Sequence, residues 1–207
     1  MIRTEVRNGR VRSTLLAAVL LGAMTPALLP AAQADAAAGG RVCFFRDAEG
    51  AGGAGHVAWA LRDPRNSKRW IWGSTDNAQG DSYTPAGRNN GSWMKSGNWN
   101  DIRATLKPDP SHHKNLYDAY RCINTAGGDV AAAQRTFRAM RDNGYQVAYN
   151  NCLTKAIAIF RKYSPALRSA HLPNGGGTPP NSYFGPILTK HARGWETPHT
   201  YTPIRHK

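Results

Sequence analysis

The sequence predicts an α+β fold in which a small antiparallel sheet packs on a central cysteine-bearing helix, with additional helices around it. The segments 41–47, 56–62 and 69–75 are short, rich in aromatic and β-branched residues, and separated by turn residues, which is typical of strands. The segments 130–142 and 152–163 instead repeat apolar residues at a helical period and end at residues that stop helices. Strands therefore dominate the first part of the chain and helices the second.

The strand region contains two loops of special composition. A glycine-rich stretch at 49–55 follows the first strand and is expected to be a flexible loop. The strands 56–62 and 69–75 are expected to form a hairpin around a turn at 63–67. Residues 76–111 are rich in Gly, Asn, Ser, Asp and Pro and are expected to be a long irregular loop, whose tryptophans either line a substrate cleft or pin the loop to the body.

The helical region begins with a predicted helix at 112–124, which has apolar residues along one face. Asp129 is in position to cap the helix at 130–142. The helix at 152–163 is apolar enough to be buried in the centre of the fold. A short helix is expected at about 181–190, and a flexible, exposed tail from about 192.

The first 34 residues have the form of a secretory signal peptide. An arginine-rich start precedes an apolar run at 15–32, and Ala32-Gln33-Ala34 is a small-x-small cleavage signal. Prolines within the apolar run argue against a membrane anchor, and no later segment is apolar enough to span a bilayer. Cleavage leaves residues 35–207, a length that suits a single secreted domain of catalytic type.

The chain is strongly basic, with a formal net charge of +14. The first 34 residues carry four Arg and one Glu, so their removal leaves +11. Such a surface attracts polyanions, for example acidic cell-wall polymers. No block of consecutive Lys or Arg is present, so we expect no specific nucleic-acid site, and a soluble secreted protein with a basic surface is an equally good interpretation.

The chain contains three cysteines, Cys43, Cys122 and Cys152. Thiols outside the cytoplasm tend to pair, and an odd number leaves one of them unpaired. Cys43 lies in a predicted buried strand and Cys122 near the end of a predicted helix, and we predict a Cys43–Cys122 disulfide that leaves Cys152 as the free thiol. The other two pairings stay open.

Cys152 is the candidate nucleophile. A thiol at a helix N-terminus feels the positive end of the helix dipole, which favours the thiolate, and the backbone N–H groups there can stabilise an oxyanion. His56, at the start of a strand, is the candidate base. A third group that orients the imidazole is sought among Ser74, Asp76 and Asn77, and Asp76 suits the role best because a carboxylate stabilises the imidazolium.

Two further residues are assigned to binding, Asn151 beside the cysteine and Trp72 on the hairpin. The remaining histidines lack the spacing of metal ligands, so we expect no metal site and no cofactor. They are His112, His113, His171, His191, His199 and His206.

The sequence around these residues resembles the circularly permuted papain-like superfamily. The resemblance rests on Gly55-His56-Val57-Ala58-Trp59, on the hairpin to Trp70-Ile71-Trp72-Gly73, and on Asn151-Cys152 at a helix start. That superfamily includes permuted NlpC-type hydrolases and relatives of lecithin–retinol acyltransferase. In ordinary papain-like enzymes the cysteine helix precedes the histidine strand, whereas the permuted group has the order seen here.

The resemblance covers His56 to about Tyr163, and residues 178–184 are also similar to bacterial members. It implies His56 as the base and Cys152 as the nucleophile, with no metal or cofactor. It does not fix the third residue.

Three functions follow. The first is a secreted thiol hydrolase of the cysteine peptidase or amidase type, which cleaves amide bonds in peptides or peptidoglycan through Cys152 and His56. The second is an acyltransferase or lipid deacylase on the same pair, with an apolar acyl pocket built from tryptophans at 70, 72, 93 and 99. The third is a non-enzymatic basic protein that binds the cell wall or another polyanion.

Overall fold

A six-stranded antiparallel sheet forms the centre of the fold, in the order β5-β3-β2-β1-β6-β8. The structure is a computed structural model that describes residues 39–76, 80–88, 91–106, 117–168 and 170–201. All of these belong to one unit of the chain, Ala34–Lys207. The strands of the sheet are β1 (Gly40–Asp47), β2 (His56–Asp63), β3 (Asn66–Ser74), β5 (Trp93–Gly97), β6 (Tyr117–Thr125) and β8 (His199–Thr200).

The other elements lie around this sheet. Two short strands, β4 (Tyr83–Thr84) and β7 (Tyr145–Gln146), pair with each other. The helices are α1 (Trp99–Thr105), α2 (Val130–Asp142), α3 (Cys152–Tyr163), α4 (Pro180–Ser182) and α5 (Leu188–Lys190), with a 3₁₀ turn at Gly50–Gly53 and a π-helical turn at Tyr183–Ile187. The structure therefore confirms a mixed α+β fold with an antiparallel sheet.

The two faces of the sheet bury two different apolar clusters. Because side chains alternate along a strand, Val57, Trp59 and Leu61 of β2 share one cluster with α3, including Ile157 and Phe160. Ala58 and Ala60 of the same strand point into the second cluster, which also holds Ile102 of α1. The sheet is thus covered on both sides, and α3 is buried as the sequence predicted.

The predicted Cys43–Cys122 disulfide is confirmed. The two residues face each other in the register of β1 and β6, with a Cα–Cα distance of 4.1 Å. Cys152 is the free cysteine of the structure. A disulfide is typical of proteins that fold in an oxidising compartment.

The predicted helix at 112–124 is wrong over its described part. Residues 117–125 form β6, which lies between β1 and β8, while residues 112–116 lie outside the described residues. The described residues that suggested a helical face belong instead to both faces of a strand: Ala119 and Ile123 lie in the first cluster, while Tyr120 packs against the second.

Three loop expectations also need correction. The segment 76–111 contains β5 and α1, and the side chain of Asn98 caps α1 by accepting from the Asp101 N–H. The glycine-rich stretch folds into the 3₁₀ turn, with the Asn181 amide donating to Gly53 O at 3.0 Å. The end of the chain is not all exposed coil, because β8 pairs with β6 and Tyr201 is buried.

The signal peptide and several candidates at Asn77, His112, His113 and His206 lie outside the described residues. Of the helices that the structure describes, none has the length and apolar character needed to cross a membrane.

Candidate functional site

Cys152 is the first residue of α3, and its position is set by the residue before it. The Asn151 side chain accepts a hydrogen bond from the Thr154 N–H at 3.0 Å, and the Thr154 hydroxyl accepts from the Asn151 N–H at 2.9 Å. This capping box satisfies two donors of the helix start. The Asn151 amide also donates to Val147 O at 2.6 Å, so Asn151 fixes both the helix start and the turn that precedes it.

His56 meets its partner because of the register of the β2–β3 hairpin. Ala58 is paired with Ser74 in that register. Continuing the antiparallel pairing by two residues brings position 76 opposite position 56, on the same face of the sheet. The His56 Nε2 atom accordingly lies 2.7 Å from Asp76 Oδ1 and 2.8 Å from the Ser74 hydroxyl oxygen.

Asp76 is held as a carboxylate by three neighbours. The Ser74 hydroxyl donates to Oδ1, and the indole N–H of Trp93 donates to Oδ2 at 3.0 Å. Burial alone raises the pKa of Asp76, but the charge of His56 and these hydrogen bonds outweigh it, so that the pKa lies below its ordinary value. Asp76 is therefore the acceptor for the proton on His56 Nε2.

The imidazole of His56 interacts with both Cys152 and Asp76. Burial lowers the pKa of His56, while the charges of Cys152 and Asp76 and the hydrogen bonds to both raise it, and the net result is a pKa well above 6.5. Because Nε2 faces Ser74 and Asp76, Nδ1 is the ring nitrogen left for Cys152. The His56 side chain is 15% exposed, and the ring of Tyr117 lies 6.2 Å from it, which shields it further from water.

Tyr145, which was not among the predicted site residues, also contacts Cys152. The hydroxyl of Tyr145 is hydrogen-bonded to the backbone N–H of Cys152. Burial raises the pKa of Tyr145, the charge of Cys152 raises it further, and the hydrogen bond from the backbone N–H opposes both. The phenol consequently stays protonated at neutral pH and has a hydrogen to donate.

An open cleft of about 240 Å³ leads to Cys152. Its walls come from the segments 51–55, 145–152 and 177–180, and we refer to it as the Cys152 cleft. Ala51 on its rim has a φ of 51°, the one positive φ outside glycine among the described residues. Such a conformation costs a non-glycine residue about 1–2 kcal/mol and is often found at functional sites.

Some of the predicted site residues meet in the structure and others do not. It brings Cys152, His56 and Asp76 together, with Ser74 as an additional contact. Asn151 lines the cleft, but its amide is committed to the helix cap. Trp72 does not line the cleft, because it is 1% exposed and lies in the second apolar cluster. Its neighbour Ile71 points to the opposite face of the sheet, into the first cluster.

No cation site accompanies this arrangement in the part of the chain that is described. Within those residues, no group of three or more His, Cys, Asp or Glu side chains is placed so that it could hold a metal ion. The described chemistry of the site is that of a thiol, an imidazole, a carboxylate and two hydroxyl groups.

Comparison with known proteins adds no relative: no family model, no curated protein and no solved structure matches this chain. The function is therefore argued from the site.

Proposed function

We propose that the protein is a secreted thiol hydrolase that cleaves amide bonds in peptides or peptidoglycan, with Cys152 as the nucleophile and His56 as the acid and base. The observation that carries the proposal is the contact of His56 with a carboxylate through Nε2 and with the free thiol of Cys152, the first residue of α3. A thiol alone is most often a small buried residue. A thiol and a carboxylate that both contact the same imidazole are the parts of a nucleophilic triad.

In this mechanism the attacking form of Cys152 is the thiolate, with its proton held on the His56 imidazolium. The thiolate Sγ attacks the carbonyl carbon of the amide, and its oxygen becomes an oxyanion. The hydroxyl of Tyr145, which accepts from the backbone N–H of Cys152 and lines the same cleft, can donate its own hydrogen to that oxyanion. The C–N bond then breaks, and the leaving amine takes the proton of the His56 imidazolium.

The remaining steps return the enzyme to its resting state. The acyl group is left as a thioester on Cys152. Neutral His56 removes a proton from a water molecule, the water oxygen attacks the thioester carbonyl, and the acid product leaves as the thiolate and imidazolium are restored. Asp76 acts throughout as a positioning residue, because it holds the imidazole orientation and stabilises its charged form.

The chain order of these groups supports membership of the permuted papain-like group. His56 lies on a strand of the hairpin and precedes Cys152 at the start of the buried helix α3, as the resemblance in sequence implies. The Cys43–Cys122 disulfide and the form of the first 34 residues support a secreted or cell-wall location.

Acyl transfer from lipids gains no support from the tryptophans that were expected to form an acyl pocket. Trp70 and Trp72 are 6% and 1% exposed and belong to the cluster on the sheet face with α1. Trp93 donates its indole N–H to Asp76. Hydrolysis, with water as the acyl acceptor, is therefore the function we propose.

The test is a comparison of variants of the full chain on a mixture of peptides and on purified peptidoglycan, with products followed by mass spectrometry. We expect release of new amine and acid ends by the wild type and at least a thousandfold loss in Cys152→Ala and His56→Ala. His191→Ala, which changes an exposed histidine, is the matched control and should keep full activity. Equal product formation by wild type and Cys152→Ala would refute the proposal.

A further inference from the structure

The walls of the Cys152 cleft are unusually small and uncharged. Most of the lining consists of Ala, Gly, Val and Pro, and its polar members are Tyr145, Asn151, Cys152 and Thr178. Of the described residues that line it, none is Asp, Glu, Lys, Arg or His. A charged substrate side chain placed there would lose part of its hydration, and no acidic or basic residue of the lining would compensate for that loss, which is costly.

The chain is basic, but the lysine nearest to Cys152 in sequence supplies no charge to the cleft. Lys155 lies three residues after Cys152 on α3, but it is 1% exposed. Its Nζ donates to Met140 O at 2.6 Å and also to Gly144 O. This cation is therefore occupied in holding the end of α2 and is not offered to the cleft.

The cleft is also limited in size and held by its own hydrogen bonds. A volume of about 240 Å³ lies below the roughly 300–1,000 Å³ of pockets for drug-sized ligands. The Gly177 N–H donates to Ala148 O at 2.9 Å, which ties two of the walls together. Gly55, on the third wall, could not carry a side chain, because a Cβ there would lie 2.5 Å from the Asn181 Oδ1. Because this volume must hold the backbone of a bound peptide as well as its side chains, small residues fit it best.

An apolar surface continues beyond the cleft. Among the described residues, the large apolar side chains that stay exposed are those of Tyr83, Val147 and Tyr149, at 64%, 48% and 72%. Tyr83 and Val147 lie on the paired strands β4 and β7 and the turn after them. The ring of Tyr149 lies against the backbone of the 177–180 wall, 3.6 Å from where a Cβ of Gly177 would be.

We propose that the Cys152 cleft binds peptides whose residues on the acyl side of the amide are small and uncharged, such as alanine or glycine, and that the peptide continues over the ring of Tyr149. This inference names the substrate class of the hydrolase proposed above and rests on that function. Charged residues are disfavoured because no lining side chain is acidic or basic, and large residues because the same volume must also hold the peptide backbone.

The first experiment measures kcat/KM for four fluorogenic peptide amides that differ in the residue next to the scissile bond, which is Ala, Glu, Lys or Phe. We expect the Ala peptide to exceed each of the others at least tenfold in the wild type. Thr178→Lys, which adds a cation to the wall, should raise kcat/KM for the Glu peptide and lower it for the Lys peptide. Ala131→Lys, an equal charge on an exposed position of α2, is the control and should leave the order unchanged.

The second experiment measures binding without turnover, so that it separates this inference from the proposed hydrolysis. Calorimetric titration of Cys152→Ala with the same four peptides as uncleavable amides should show the tightest binding for Ala. Tyr149→Ala should weaken binding of a tetrapeptide more than that of a dipeptide. Tyr83→Ala tests whether the bound peptide reaches as far as β4.

The outcomes are distinct. Preferential binding of the Ala peptide without cleavage by the wild type upholds the inference on the substrate and refutes hydrolysis of these amides. Glu, Lys or Phe peptides that are bound or cleaved as well as the Ala peptide overturn the inference, as does a failure of Cys152→Ala to bind any of the four.

Discussion

The change Asp76→Asn tests the assembly of the site most directly, because it keeps the shape of the side chain and removes its charge. At 2.7 Å from His56 Nε2, opposite unit charges attract each other by about 1.5 kcal/mol at a dielectric constant near 80 and by about 6 kcal/mol near 20. The two side chains are 15% and 22% exposed, so the true value lies between these limits. Since about 1.4 kcal/mol is a factor of ten in rate, we expect kcat/KM to fall at least tenfold.

The pH dependence gives a second reading of the same change. The leaving amine needs the proton of the imidazolium, so the alkaline limb of kcat/KM reports the deprotonation of His56. The pKa of His56 is raised well above 6.5 by the charges of Cys152 and Asp76 against the effect of burial. Loss of the Asp76 charge destabilises the imidazolium, so the alkaline limb should move to lower pH in the variant.

A readout that needs no substrate is the rate at which iodoacetamide alkylates the Cys152 thiolate. Without the Asp76 charge, less of His56 is in the imidazolium form that stabilises the thiolate. Alkylation near pH 6 should therefore be slower in Asp76→Asn than in the wild type. Asp142→Asn, at an exposed carboxylate that pairs with Arg141, is the matched control. An Asp76→Asn protein with the same kcat/KM, alkaline limb and alkylation rate as the wild type would show that the carboxylate does not act on His56.

Four further outcomes follow from the structure. Tyr145→Phe should lower kcat about a hundredfold with little change in KM, because it removes one oxyanion donor, and steady-state kinetics measures both. Asn151→Ala should lower the free energy of unfolding by about 1 kcal/mol through loss of the helix cap, as measured in urea, and should slow alkylation of the thiol that the cap positions. Replacing Cys43 and Cys122 together by Ala removes a cross-link with a sequence separation of 79, and the chain-entropy relation gives a loss of about 4.5 kcal/mol; an unchanged urea midpoint would contradict it. Burial lowers the pKa of Lys155 from 10.5 to about 8 in the folded chain, although the charge of Cys152 acts to raise it. Between pH 8 and 10.5 the unfolded chain therefore binds more protons than the folded chain. The free energy of unfolding of the wild type should rise by about 3 kcal/mol across that window relative to Lys155→Met.

The pairing of His56 with Asp76 was within reach of sequence reasoning. The hairpin of β2 and β3 could be predicted from its aromatic and β-branched strands, and a tight turn fixes which residues face each other. The capped helix with Cys152 at its start follows from Asn151 and the apolar period after it. Local patterns of this kind survive folding because the tertiary contacts agree with them.

The parts that were missed depend on contacts between distant segments. Trp93 reaches Asp76 because β5 pairs with β3 at Ser74, and nothing in the polar segment around it indicates an edge strand. The segment 117–125 has apolar residues that fit a helical period by coincidence, whereas its Tyr, Ile and Thr residues favour a strand. The signal that could have decided was the disulfide itself, since Cys122 was expected to pair with a cysteine in a strand.

The exposed connection between β2 and β3 has a consequence for engineering and for natural variation in length. Pro64 lies eight residues from His56, roughly 26 Å along the strand, and surface turns at such a distance usually tolerate insertions. Here an added or deleted residue that shifts the strands by one position would turn the carboxylate towards the opposite side of the sheet and leave the imidazole without it. Homologues that keep this chemistry should therefore vary at this turn in residue type but not in length.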